Sequence, residues 1–244
     1  MQMKFISQFK GIASIVFLMT LVFGSVTLIG GCGQEEDPKP QTPPSDTNTF
    51  TFFEIGKTTV YSKKIRTDLT AKIGRDAVEY RNLINLETNY EGFLQTFFSE
   101  LAALNRQLNS PAGERIEHNT FKLMYRYAQK KKIPFDYVEL VFSNYSKRPI
   151  LIRIDFKTDE ANTVQALKTK YGEPAVIDWK KEKGRSLYWK KGNDILIVSL
   201  IPDQFGKPRY QIMIYFTDSI RELIKSEQAE IAEKEKLKSG KTAF

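Results

Sequence analysis

From residue 134 onward, apolar and polar positions largely alternate along the chain. In YVELVFS (137–143), Val138, Leu140 and Phe142 fall on one side, and in PILIRIDF (149–156), Ile150, Ile152, Ile154 and Phe156 do the same. A period of two is the signature of a strand with one face on a core, and the intervening NYSKR predicts that the two strands form a hairpin. The period then lengthens. In TDEANTVQALKTKYGEP (158–174), Thr158 is placed to cap a helix, Asp159 and Glu160 stand in its first turn, and Ala161, Val164, Leu167 and Tyr171 share a face before Gly172 and Pro174. Four more strands are predicted near 175–180, 186–190, 195–201 and 210–217, separated by the turn-forming KEKGR, KGND and PDQFGKP. ILIVSLI (195–201) is apolar on both sides, which predicts a central strand covered on each face.

The first half of the chain suggests helices instead. TTVYSKKIRTDLTAKIG (58–74) spaces Ile65, Leu69 and Ile73 four apart and ends in Gly74, and YEGFLQTFFSELAALNRQLN (90–109) and NTFKLMYRYAQKKK (119–132) are taken as two further helices. The expected fold class is therefore α+β: an antiparallel sheet of five or more strands with helices packed on it, and a helical N-terminal half. LTAKIG (69–74) also echoes LKTKYG (167–172). Either the chain contains a duplication, or a lysine, an apolar residue and a glycine are simply a favourable helix ending.

The chain starts with a different pattern. Lys4 and Lys10 precede an uncharged run from Gly11 to Ile29; Gly30, Gly31 and the only cysteine, Cys32, follow. A positive start, an apolar stretch and small residues describe an export signal; a retained membrane anchor, which needs about 20 apolar residues, is the competing reading. IGGC (29–32) resembles the lipobox of bacterial lipoproteins, with an aliphatic residue, two small residues and cysteine in that order. The resemblance implies that a diacylglyceryl group is attached to the Cys32 thiol, that residues 1–31 are removed, and that the new amino group is acylated. One acyl chain holds a protein only reversibly, whereas two or three hold it firmly. Residues 33–49 contain four prolines and no aliphatic or aromatic side chain, so they are expected to act as a tether reaching up to roughly 50 Å. The expected organisation is a signal at 1–31, lipidated Cys32 and tether at 32–49, a domain at 50–218, and a charged C-terminal helix or tail at 219–244.

Composition narrows the chemistry. One cysteine and one histidine, His118, in 244 residues leave no intramolecular disulfide and no Cys/His zinc site, and no cofactor is expected. His118, at a predicted helix entry, is expected to be a surface or capping side chain. FFEIGKT (52–58) lacks the first glycine of a phosphate-binding loop, since position 51 is Thr51; Gly56 is expected in a turn, with Thr58 or Thr59 capping the next helix. Asp136, Glu139 and Asp155 are expected to be solvated strand-end carboxylates, and with no GxSxG elbow no catalytic constellation is predicted. The formal net charge of +8 has one notable concentration: Lys180, Lys181, Lys183, Arg185, Lys190 and Lys191 stand against Glu182, interleaved with Trp179, Tyr188 and Trp189. This hairpin could meet anionic headgroups or polysaccharide. Alternatively its lysines guard a sheet edge while its tryptophans pack inward. QKKKIP (129–134) is expected to be the positive last turn of a helix.

TVQALKTKYGEP (163–174), followed by a strand meander containing Trp189, is similar to the helix, Gly-x-Pro and three-strand pattern of the small BamE/SmpA lipoproteins of the outer-membrane β-barrel assembly machinery. The likeness covers residues 158–217. Uncharacterised bacterial lipoproteins of similar plan resemble the chain more nearly and imply no activity. The expected function is a lipid-anchored, non-enzymatic binding or scaffold module of the bacterial envelope, on the periplasmic side of an outer membrane where the host has one. Its partners would be the membrane, through the anchor, and an envelope protein, anionic headgroup or polysaccharide; an exported protein does not meet nucleic acid. The alternative is a small-ligand or lipid-binding domain with a cleft beside the sheet.

Overall fold

The computed structural model describes residues 49–126, 134–156, 161–179, 184–202 and 208–241. A two-stranded hairpin, β1 (Thr51–Phe52) and β2 (Ile55–Gly56), leads to α1 (Lys63–Ile73) and β3 (Ala77–Asn82). Two short helices, α2 (Phe93–Phe97) and α3 (Ser99–Leu108), precede the strands β4 (His118–Arg126), β5 (Phe135–Ser143) and β6 (Pro149–Phe156). Then come α4 (Ala161–Tyr171), β7 (Ala175–Trp179), β8 (Gly184–Lys191), β9 (Asp194–Pro202), β10 (Pro208–Tyr215) and the long α5 (Thr217–Lys241). β3 to β10 form one antiparallel sheet in the order β3-β4-β5-β6-β10-β9-β8-β7.

This corrects the expected fold class. The sheet has eight strands, and the N-terminal half is not the helical half that was expected: it also contains β1 to β3 and the start of β4. NTFKLMYR, taken for a helix, is most of β4. Phe121, Leu123 and Tyr125 are buried on one face, while Lys122 and Met124, on the other, are half-buried. Pairing with β3 on one side and β5 on the other selects the alternation over the helical spacing that this short stretch also satisfies.

Each face of the sheet carries its own core. On one, β1, β2, α1 and α4 cover Phe121, Leu140, Ile152, Ile212 and Trp189; Phe121 and Phe142 stack at 5.1 Å. On the other, the segment from Ile84 to Leu108 and the first turns of α5 cover Ile177, Trp179, Ile197, Met213 and Tyr215. Ile220, Leu223 and Ile224 of α5 are buried there, so the packed unit runs past Asp218, and α5 continues as helix to Lys241. Ser62 caps α1, its Oγ accepting from the Ile65 N–H at 3.3 Å. Thr59 instead ties the β2 turn, its Oγ1 accepting from the Gly56 N–H at 3.0 Å.

The two halves are related by a pseudo-two-fold axis normal to the sheet. Each half is one helix followed by four meandering strands, and both helices lie on the same face. α4 starts and ends 98 residues after α1 (63 to 161, 73 to 171), and β7 starts 98 residues after β3 (77 to 175). Gly74 and Gly172 end the two helices with φ of 103° and 85°, a backbone that glycine adopts without steric penalty. One transverse row crosses the sheet through Ala77, Met124, Glu139, Arg153, Met213, Ile197, Tyr188 and Ala175. The axis passes between Arg153 and Met213. The echo of LTAKIG in LKTKYG therefore marks equivalent helix ends.

Candidate functional site

Charged and polar side chains gather on the face that carries Met213, over the β4–β6 half of the sheet. Asp155 is at the centre, 2% exposed rather than solvated as expected. Its Oδ1 accepts from Arg153 Nε at 3.3 Å and Gln211 Nε2 at 2.9 Å, and its Oδ2 from Arg153 Nη2 and Arg209 Nη2, both at 3.1 Å. Gln211 in turn accepts from Thr88 Oγ1 at 3.0 Å, which links this network to the loop before α2. Arg153 lies over the Tyr137 ring at 5.7 Å, the Tyr137 hydroxyl donates to Glu139, and Lys122 bridges Glu79 at 3.2 Å and Glu139 at 3.9 Å. Burial, and then the bond to Glu139, hold the Tyr137 hydroxyl above its ordinary range, so it stays protonated at neutral pH.

A carboxylate with four donors has no lone pair left to take a proton from a substrate. Asp155 therefore orients two guanidiniums instead of acting as a general base. Asp136, the third carboxylate of the sequence pattern, is exposed. Among the described residues, no group of three His, Cys, Asp or Glu side chains is placed to hold a metal ion.

His118 is the start of β4 rather than a helix entry, and it is 2% exposed. Its Nδ1 pairs with Glu227 Oε2 at 2.8 Å, and Glu227 Oε1 accepts from the Asn119 N–H at 2.7 Å. These contacts clamp α5 across the end of the strand. The α5 partner, 109 residues away, is invisible to any local pattern.

A second polar cluster lies where the β8–β9 turn meets the start of α5. Asp218 accepts from Lys57 at 2.5 Å, Arg221 at 2.7 Å and Asn193 at 2.9 Å; Lys57 and then Asn193 hold its carboxyl below the usual range. Arg221 also pairs with Glu100. Asp194, 1% exposed, has an Oδ1 without a partner, and burial pushes its carboxyl up to about 6.

Of the basic hairpin, Lys180, Lys181 and Lys183 lie outside the described residues, as do Cys32, the signal, the tether as far as residue 48, Thr158 to Glu160, and residues 129–133. The described members do not form one patch. Arg185 pairs with Asp178 across the β7–β8 pair at 2.7 Å. Lys190 lies over the Phe98 ring on one face of the sheet, and Lys191 over the Tyr171 ring on the other. Trp179 and Trp189 are both 5% exposed and enter opposite cores. The alternation of β8 splits a run that is contiguous in sequence.

Beside α3, an open groove of about 680 Å3 is lined by polar side chains, among them Glu87, Glu91, Gln95, Asn105 and Arg106. Compared with known proteins, the chain matches no family model, no curated protein and no solved structure.

Proposed function

We propose that the chain is a bacterial envelope lipoprotein, anchored through acylated Cys32, whose folded part is a non-enzymatic binding or scaffold module. The observation that carries this reading is the order of segments at the start: the lysines, the uncharged run 11–29, Ile29-Gly30-Gly31-Cys32, and the proline-rich 33–49. The packing supports a scaffold. Each face of the sheet carries a close-packed apolar core, and Asp155, the most buried carboxylate of its cluster, is fully committed to arginines and an amide. The alternative, a lipid-binding cleft, gains little from the groove beside α3, because it is an open groove rimmed by charged and amide side chains and not an enclosed apolar cavity. An outer membrane facing the periplasm is the proposed location in a host with two membranes.

Growing cells with a fatty-acid analogue tests the anchor. The wild-type chain takes up label and sediments with membranes, and Cys32→Ser does neither. An unlabelled wild type, or equal labelling of the serine variant, refutes the reading.

A further inference from the structure

The pseudo-two-fold fails at one connection. Residues 83–117 join β3 to β4 and carry α2 and α3, whereas the equivalent join between β7 and β8 is residues 180–183. Phe93, Leu94, Phe98, Leu101 and Leu108 turn inward and are buried, and the Tyr215 hydroxyl fixes the segment by donating to the Leu86 carbonyl at 2.8 Å. The outer side of this insert carries the groove of about 680 Å3, within the roughly 300–1,000 Å3 of ordinary ligand sites. A connection that the other half of the sheet does without, held on a packed scaffold, is a place for binding groups.

Three asparagines shape the groove. Asn85 Oδ1 accepts from the Glu87 N–H at 2.9 Å, Asn105 Oδ1 accepts from the Leu86 N–H at 2.9 Å, and Asn109 Nδ2 donates to the Ile84 carbonyl at 3.1 Å. The last two bonds tie residues 84–86 to the end of α3, and each amide has only one half committed to the fold. The Nδ2 groups of Asn85 and Asn105 and the Oδ1 of Asn109 have no partner among the described residues. Glu87, Glu91, Gln95 and Arg106 complete the rim. None of these four side chains has a hydrogen-bond or ion-pair partner among the described residues, and Glu87 Oε2 is shut off from water as well.

This mixture selects the ligand. An anion would face Glu87 and Glu91, and a cation would face Arg106, so either ion meets a group of its own sign. A hydroxyl both donates and accepts, and a set of them satisfies carboxylates, a guanidinium and half-used amides alike. Ala112 and the methylene stems of the rim residues offer the apolar strip on which the C–H face of a sugar ring can rest.

We propose that the groove beside α3 binds a neutral oligosaccharide, with Glu87 and Glu91 accepting from its hydroxyls and Asn105 and Arg106 donating to them. Because the loop and α3 are already bonded together, the walls are set before the sugar arrives. The proposal deepens the binding-module reading above; its test reads the groove, whereas fatty-acid labelling reads Cys32, so the two fail separately.

The test uses the full chain in neutral phosphatidylcholine nanodiscs, isotopically labelled at its asparagine amides and titrated with cellotetraose, maltotetraose and chitotetraose. At least one sugar should shift the Asn105 and Asn109 side-chain signals to saturation while that of buried Asn82 stays still. Binding should hold its strength as salt is raised, because the ligand carries no charge to screen. The Gln95→Ala/Arg106→Ala variant, which removes no contact of the fold, should bind about tenfold more weakly at an unchanged melting temperature. Three results would overturn the proposal: no saturating shift with any of the three sugars, undiminished binding by the double variant, or a shift of the same signals by spermidine or citrate where no sugar moves them, which would make the groove a site for an ion.

Discussion

Replacing Asp194 by asparagine should make the protein more stable at neutral pH. Asp194 opens β9 with 1% of its surface exposed, and its carboxylate accepts from the Thr217 N–H while Oδ1 has no partner. Burial pushes its carboxyl up to about 6, the Lys57 ammonium opposes this, and the Asp218 carboxylate adds to it. The unfolded chain releases this proton near 3.9 and the folded chain near 6, so between those values the folded state binds more protons. Stability must therefore fall as pH rises through that window, and above it the full penalty of a buried, under-paired charge is present. Two pH units at about 1.4 kcal/mol each give a penalty of about 3 kcal/mol. Asparagine keeps an acceptor for Thr217 and carries no charge. Urea unfolding of both proteins from pH 4 to pH 8 should give nearly equal stabilities at the acid end and an advantage for Asp194→Asn that grows to a plateau above pH 6. Asp218, held below the usual carboxylate range by Lys57 and Asn193, stays ionised across this window, so the pH dependence of the difference reports Asp194. A constant difference across the range, or a less stable variant at neutral pH, would refute the reasoning.

Gly184→Ala should destabilise the β7–β8 pair by about 1–3 kcal/mol, because an added Cβ would lie 2.4 Å from the Trp179 ring; a red-shifted tryptophan emission would report the displaced indole. Ending the chain after Asp218 should abolish cooperative unfolding, since burying each of Ile220, Leu223 and Ile224 contributes about 1.5–3 kcal/mol, whereas ending it after Glu230 should leave a cooperative melt. His118→Ala leaves Glu227 without its side-chain partner and should cost about 1–3 kcal/mol, with hydrogen exchange accelerating in the first turns of α5 before the central strands.

Much of this architecture was legible in the chain itself, where the signal is local. Alternation in 149–156 and 195–201 marks strands because a pleated backbone sends successive side chains to opposite faces, and Gly74 and Gly172 mark helix ends because the backbone there favours glycine. The start of the chain, with its lysines, uncharged run and IGGC, likewise carries its reading without a fold. Tertiary structure decided whatever depends on a distant partner. Phe121, Leu123 and Tyr125 belong to a strand because β3 and β5 supply the hydrogen bonds, and Asp155 is a buried hub because Arg209 and Gln211 arrive from a strand more than fifty residues later. Lys190 and Lys191 are neighbours in sequence and are separated by a whole sheet in space. The pseudo-two-fold, too, exists only once β6 pairs with β10, since no short window of sequence contains that contact. Local patterns record how a side chain meets its own backbone; which faces are covered, and which charges end up paired or exposed, is settled by the elements that pack against them.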